Sequence, residues 1–393
     1  MRDVFSRYGF RDIRVPIIEF TEVFTRSIGE TTDIVEKEMY TFMDKAGRSI
    51  TLRPEGTAPV VRSYVEKHLY TEPAPQKFYY TGPMFRYERP QKGRQRQFYQ
   101  IGVEAFGVAE PKIDAEVLAM LVGFLEALGV KDYRLELNSI GCPKCRPVYK
   151  EALKAFFSPL IGSLCPDCKR RYEVNPLRIL DCKVEACIAL RKGAPKVTDY
   201  LCEECREHFE ELKSLLDTLG IRYSLNPEMV RGLDYYTRTT FEATSEFLGS
   251  QKAFAAGGRY DGLVEEFGGP STPAIGFAVG VERLLHLLKD KQAEALGPDV
   301  FIASIGKEAD REALRLAGGL RAEGLWAELG YSGASLKSQL RRADRIGAAI
   351  ALILGEEELG KGALKWKDLK DGSSGETTIA SASGFIKAKR NRI

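Results

Sequence analysis

Between Gly82 and Glu104 the chain reads GPMFRYERPQKGRQRQFYQIGVE, a run in which Glu88 is surrounded by Arg86, Arg89, Lys92, Arg94 and Arg96. Alternating, strand-like segments flank it, so the cationic cluster is predicted to form the loop between two strands of a sheet. Arg86 closes the first strand. Gln100, Gly102 and Glu104 take alternate positions of the second and therefore share one face. A face with both a cation and an anion suits a polyphosphate held beside a small zwitterion, with guanidinium forks gripping the phosphate oxygens. The plainer reading of the charge is a solvated hairpin tip, against which the polar residues inside the second strand argue.

At 393 residues the chain exceeds one ordinary core and fits two or three domains. Its composition, 44% hydrophobic and 29% charged, is that of a soluble globular protein. No apolar run approaches the roughly 20 residues of a membrane span. The start, MRDVFSRYGF, has no signal-peptide core, so the cytoplasm is the expected compartment and no membrane partner is expected. A net charge of +3 is too small for wholesale coating by nucleic acid, so RNA would have to be held by local patches.

All eight cysteines lie between Cys142 and Cys205, as Cys142-x2-Cys145, Cys165-x2-Cys168, Cys182-x4-Cys187 and Cys202-x2-Cys205. In a cytosolic chain such pairs suit tetrahedral zinc better than disulfides, because two thiolates three residues apart grip one ion from a tight knuckle. There are ligands for one or two sites. Redox-active or simply buried thiols are the alternatives. A catalytic zinc is disfavoured because His208 is the only imidazole nearby. The region reads as an inserted small domain.

Around these landmarks, helices are expected at 2–8, Phe20–Ser27, Ala58–His68, Asp114–Leu128 and His208–Leu219. Strands are expected at Arg11–Pro16 and Tyr133–Asn138, with a hairpin of Met39–Phe42 and Ser49–Leu52 around Asp44–Gly47. Glu55, in Arg53-Pro54-Glu55-Gly56-Thr57, stands between a strand exit and a helix start, where it reads as a ligand for an amino group or as a helix cap. Val230–Phe241 opens a group of strands and concentrates Arg231, Asp234, Tyr235 and Tyr236. The Gly257–Leu263 run allows close backbone approach to a small molecule. Gly276–Leu284 passes from strand to helix and places Arg283 on the first turns. Leu284–Leu296 reads as helical until Gly297-Pro298 breaks it. Beyond, Val300–Ser304, Arg311–Glu323, Ala349–Leu354 and Trp366–Leu369 alternate strand and helix signals. Lys337, Arg341, Arg342 and Arg345 form a basic helical segment compatible with RNA contacts or with a solvated face.

These motifs resemble, in order, those of the bacterial histidyl-tRNA synthetases, a class II aminoacyl-tRNA synthetase family. FRYERPQKGRQRQFYQ resembles the second class II motif and GFAVGVERL the third; RGLDYY and GGRYDGL resemble the two histidine-specific signatures. TDIVEKEMYTF, LRPEGT and KSQLRRADRIGAAIALILGEEEL add to the resemblance, which spans essentially the whole chain. It implies an α+β fold: an antiparallel class II sheet flanked by helices, a Cys-rich insertion and a C-terminal α/β anticodon-binding domain. The implied bounds are 1–137 and 211–297 for the catalytic domain, 138–210 for the insertion and 298–393 for the anticodon domain. The implied activity attaches L-histidine to tRNA(His) through histidyl-adenylate, with ATP and Mg²⁺, by a homodimer.

By the same resemblance, Glu55, Thr57 and Gln100 orient the histidine amino group. Glu104 and Tyr236 recognise the imidazole, and Tyr235 shapes its pocket. Arg86 and Arg231 hold the α-phosphate and the substrate carboxylate, Arg94 joins them on ATP, and Arg283 holds the distal phosphates. Lys337, Arg341, Arg342 and Arg345 meet tRNA. The eight cysteines are candidate ligands of a structural Zn²⁺. The chain departs from the family pattern at its start, partway into the long motif 1 helix, which puts dimer strength in doubt. The alternative reading is the synthetase-like regulatory subunit of ATP phosphoribosyltransferase, which commonly lacks the anticodon domain and intact activation signatures.

Overall fold

The structure, a computed structural model, describes residues 1–28, 32, 34–88, 93–230, 232–249, 252–288, 297–331 and 333–390. They fall into two compact units, Met1–Asp290 and Lys291–Ile393.

The first unit is built on an eight-stranded sheet. Its order is Arg11–Asp12, Gln76–Phe85, Gln97–Phe106, Ala274–Gly280, Ala253–Arg259, Thr237–Thr244, Arg134–Ser139 and Ser224–Leu225. Pairing is antiparallel except at the two edges, where the short first and last strands run parallel to their neighbours. Side-chain alternation along Gln97–Phe106 decides what each face is for. Ile101, Val103 and Ala105 pack into a core with Leu118, Leu121 and Leu125 of helix Pro111–Ala127 and with Phe209, Leu212 and Leu216 of helix Glu203–Thr218. Gln100, Gly102 and Glu104 are thereby left to the other face. Ladder pairing also passes Arg86 at the mouth of the hairpin, where its N–H donates to the Arg96 carbonyl at 2.9 Å.

Several element boundaries differ from the sequence reading. The strand expected over Arg11–Pro16 stops at Asp12, because the Val15 and Pro16 carbonyls are taken instead by the Arg53 guanidinium at 3.0 and 3.4 Å. Phe20 belongs to a strand, Ile18–Phe20, that pairs with Ser49–Leu52, and the helix begins at Glu22. The stretch Leu233–Tyr236 is a turn, and the strand there starts only at Thr237. Helix Val281–Leu287 ends before the 289–296 part of the predicted Leu284–Leu296 helix, which lies outside the described residues.

The second unit carries a five-stranded sheet in the order Ala327–Leu329, Val300–Ser304, Ile350–Leu354, Ala363–Asp368 and Ser374–Thr378. The first three strands are parallel and the last two antiparallel. Helices Lys307–Ala322 and Ala382–Arg390 contribute Ala313, Leu316, Leu320 and Ile386 to its core.

Candidate active site

The polar face of the large sheet needs room for side chains that lie close to backbone. Tyr80 and Gly102 are direct partners across two strands, and a Cβ on Gly102 would stand 2.1 Å from the Tyr80 ring. Gly102 is therefore glycine because the ring occupies its side-chain space. The Tyr80 hydroxyl then reaches Glu104 Oε1 at 3.2 Å, beside the Thr57 hydroxyl, which donates to the same oxygen at 2.7 Å. Tyr260 donates its hydroxyl to Oε2. On the next strand Gly276 lies opposite Glu104, and a Cβ there would be 2.0 Å from Oε2. Glu104 is 1% exposed. Burial pushes its carboxyl up to about 8, although the Tyr260 and Thr57 hydroxyls favour the charged form.

Above this floor is a cavity of about 330 Å³. Its lining combines a carboxylate and hydroxyl set, Glu55, Thr57, Tyr235, Tyr236 and Tyr260, with a cationic set, Arg86, Arg94 and Arg283. Glu55 caps a helix and also faces the cavity. Its two carboxylate oxygens accept the N–H groups of Thr57 and Ala58 at 2.7 and 2.8 Å, capping helix Thr57–Glu66, while it also lines the cavity. Burial raises its pKa and those N–H bonds oppose the rise. Gln100 lines the cavity with a buried Oε1 that has no hydrogen-bond partner among the described residues.

The cations are anchored by protein groups. Arg86 donates Nε to the Pro54 carbonyl at 2.9 Å and stacks on Phe98 with 5.3 Å to the ring centroid. Arg94 pairs with Glu88 at 3.1 Å. Arg283 donates to the Ala253 carbonyl at 2.7 Å and to that of Gly93 at 3.2 Å. Burial, then the nearby Arg94 charge, lowers the Arg283 pKa, a repulsion that a polyanion in the cavity would relieve.

Of the residues singled out from sequence for histidine and ATP, eight line this cavity and Glu104 lies just beneath it; Arg89, Lys92 and Arg231 are outside the described residues. Sequence patterning alone does not point to Tyr80, Tyr260 or Glu242. Tyr260 lies within GGRYDGL, and Glu242, also in the lining, shares the alternation of its strand with Thr240 and Thr244. Arg259, within GGRYDGL, has a structural role. Arg259 is fully buried and grips Asp114 through Nη2 at 2.6 Å and Nε at 3.0 Å, while also meeting Asp261 at 3.1 Å.

In the second unit, Lys337, Arg341 and Arg345 are exposed at intervals of four on helix Leu336–Arg345 and so share a face. Arg342 differs. It is half-buried, with its guanidinium 5.3 Å from the Tyr331 ring and 3.3 Å from the Leu329 carbonyl. The eight cysteines converge in two groups of four, whereas His208 packs beside Asp114 at 3.7 Å, where burial lowers its pKa to about 3.

A family model described as histidyl-tRNA synthetase matches residues 1–144 and 177–284, and one described as anticodon binding domain matches 299–389. The chain belongs to the histidyl-tRNA synthetase family. It is 53% identical to a histidine–tRNA ligase of Thermodesulfovibrio yellowstonii over 99% of this chain and 93% of the relative. The ligase of Trichlorobacter lovleyi is 55% identical, covering 95% and 88%. A crystal structure of apo S. aureus histidyl-tRNA synthetase superposes with a TM-score of 0.81 at 40% identity, over 98% of this chain and 93% of that one. The enzyme is therefore a histidine–tRNA ligase with the class II synthetase architecture. No helix among the described residues is long and apolar enough to cross a membrane.

Proposed function

We propose that the cavity seats L-histidine on its carboxylate and hydroxyl set and ATP on its three arginines, and that the synthetase charges tRNA(His) from that arrangement. The observation that carries this reading is the convergence of Arg86, Arg94 and Arg283 with Glu55 and Gln100 around one cavity, directly over buried Glu104. The histidine carboxylate attacks the α-phosphorus, pyrophosphate leaves, and histidyl-adenylate forms. The 3′-terminal ribose hydroxyl of tRNA(His) then takes the acyl group and releases AMP. No protein nucleophile is needed: the site aligns the reactants and stabilises charge on the reacting phosphate. Arg231 is assigned to that phosphate by its place in RGLDYY.

Gln100 Oε1 and the Glu55 carboxylate are acceptors matched to the substrate ammonium. Mg²⁺ bound with ATP would supply counter-charge, and Glu242 is one of the lining carboxylates, with Glu88 and Glu282, whose hard oxygens suit it. The imidazole is assigned to Glu104 and Tyr236, with Tyr235 as a wall. A polar ring completes that buried network, whereas an apolar analogue leaves it unpaired, so discrimination needs no editing step.

The raised Glu104 pKa gives this assignment a pH signature. In the empty site the carboxyl holds its proton below about pH 8. An imidazole N–H beside it favours the ionised form, so its pKa falls on binding and histidine uptake expels a proton. Histidine affinity is therefore expected to rise from about pH 7 to about pH 8 and level off above. Glu104→Gln should flatten that profile and weaken histidine more than ATP. Calorimetry in buffers of differing ionisation heat checks it; proton-neutral binding at pH 7 would contradict the assignment.

The second unit is assigned to tRNA. Exchanging Lys337, Arg341 and Arg345 together for Ala should raise the KM for tRNA about tenfold or more while leaving tRNA-independent pyrophosphate exchange unchanged. Equal effects on both assays would count against a tRNA contact. A homodimer is the proposed assembly, supported by exposed Ile17, Ile18, Phe20, Phe42 and Met43 on and beside a three-stranded antiparallel sheet of the first unit, Ile18–Phe20, Ser49–Leu52 and Tyr40–Met43. The cytoplasm is the proposed compartment, and the cysteine-rich insertion is assigned a structural Zn²⁺.

A further inference from the structure

The two cysteine tetrads are not the neighbours that chain order suggests. Cys142 and Cys145 meet Cys202 and Cys205, while Cys165 and Cys168 meet Cys182 and Cys187, with all ligand atoms of a tetrad within 4.8 Å of one another. The second tetrad thus lies inside the chain loop that the first one closes, Cys145 and Cys202 being 57 positions apart. Sulfur separations are 3.6 Å for Cys142–Cys145, 3.8 Å for Cys142–Cys202 and 3.9 Å for Cys165–Cys182. A disulfide would need about 2.05 Å. A Zn–S bond of about 2.3 Å sets the edge of an S4 tetrahedron at about 3.8 Å, which matches.

Two further observations favour a metal over packed thiols. Backbone N–H groups are aimed at sulfur: Cys202 donates to Cys145 Sγ at 3.1 Å, Cys165 to Cys187 Sγ at 3.3 Å and Val184 to Cys182 Sγ at 3.5 Å. Such donors are the outer shell of a thiolate–metal knuckle. Among the described residues the first tetrad also has only Leu201 beside it in its apolar cluster. Gly141 precedes it at φ 69°, where a Cβ would stand 2.6 Å from that of Cys145.

Each tetrad is tied to the histidine signature by an arginine beside it. Arg146 follows Cys145 and donates Nη1 to the Asp234 carbonyl at 3.3 Å. Arg178 lies in the turn Pro176–Asp181 that runs into Cys182, and pairs with Asp234 Oδ1 at 2.7 Å. Asp234 adjoins Tyr235 and Tyr236 of the cavity wall. We infer that each tetrad holds one tetrahedral Zn²⁺, two per chain, and that the ions, by fixing Arg146 and Arg178, hold the Leu233–Tyr236 turn in its histidine-binding position. The positioning half rests on the assignment of the cavity to histidine; the metal half does not.

Elemental analysis of the full-length protein purified without chelator should find two zinc ions per chain. Cys187→Ser and Cys205→Ser should each lose one, and Co²⁺ substitution should give tetrahedral tetrathiolate absorption. Fewer than two zinc ions in the unaltered protein, with the unliganded cysteines titrating freely, overturns the two-site inference. Arg178→Met leaves both tetrads intact and tests the positioning where a cysteine variant does not fold. It should retain two zinc ions and raise the histidine KM at least about fivefold, with the ATP KM nearly unchanged. An unchanged histidine KM, or an equal rise in both constants, overturns the positioning role. Two zinc ions in a protein without histidine-dependent exchange would sink the functional assignment and leave the metal sites standing.

Discussion

Arg86→Ala is expected to lower histidine-dependent ATP–pyrophosphate exchange by about 10²–10³-fold, equivalent to roughly 3–4 kcal/mol of transition-state stabilisation. The side chain is preorganised, anchored by Pro54 and Phe98 at the end of strand Gln76–Phe85. A guanidinium fixed in this way does not reorganise as charge builds on the reacting phosphate, so its removal falls mainly on kcat. The residue is half-buried and its contacts are local, so the variant should keep the unaltered protein's unfolding midpoint. Arg231→Ala, on the strength of its motif, should behave similarly. Near-normal exchange in a folded Arg86→Ala enzyme would remove the arginine from the catalytic assignment.

Asp114→Ala should be the most damaging single change to stability, at about 3–5 kcal/mol. Asp114 and Arg259 are both 0% exposed at the side chain, and Asp114 also accepts the Thr239 hydroxyl at 2.7 Å. Truncation leaves a guanidinium in the interior with one of its two carboxylate partners gone, because Asp261 remains at 3.1 Å. Strand Ala253–Arg259 ends at that guanidinium, next to Tyr260 and its hydrogen bond to Glu104, so histidine binding should weaken along with the fold. Denaturant titration measures the loss; a change below about 1 kcal/mol would mean the pair is dispensable.

Local patterning makes much of this architecture readable from the sequence. The Gln100, Gly102 and Glu104 alternation follows from a period of two, and the sheet does separate these residues from Ile101, Val103 and Ala105. Glu55 was recognisable at a strand exit, although nothing local told capping from cavity lining, and it does both. The remainder depended on distant partners. Tyr80 becomes part of the floor only because Gly102, across the hairpin, yields it space. Arg259 lies inside GGRYDGL, and only its partner Asp114, 145 positions away, shows that it is held in the core. CxxC spacing announces pairs of ligands but not which pairs combine, since chain topology decides that the two tetrads nest. Phe20 read as helical because its strand exists only through pairing with Ile50.

The most direct test of the central assignment is ATP–pyrophosphate exchange by the purified enzyme with each of the twenty amino acids, followed by charging of tRNA(His) transcript. The account predicts exchange that depends on L-histidine and Mg²⁺, and histidine esterified to that tRNA. Absence of histidine-dependent exchange in a folded protein, or exchange driven equally by another amino acid, would contradict it.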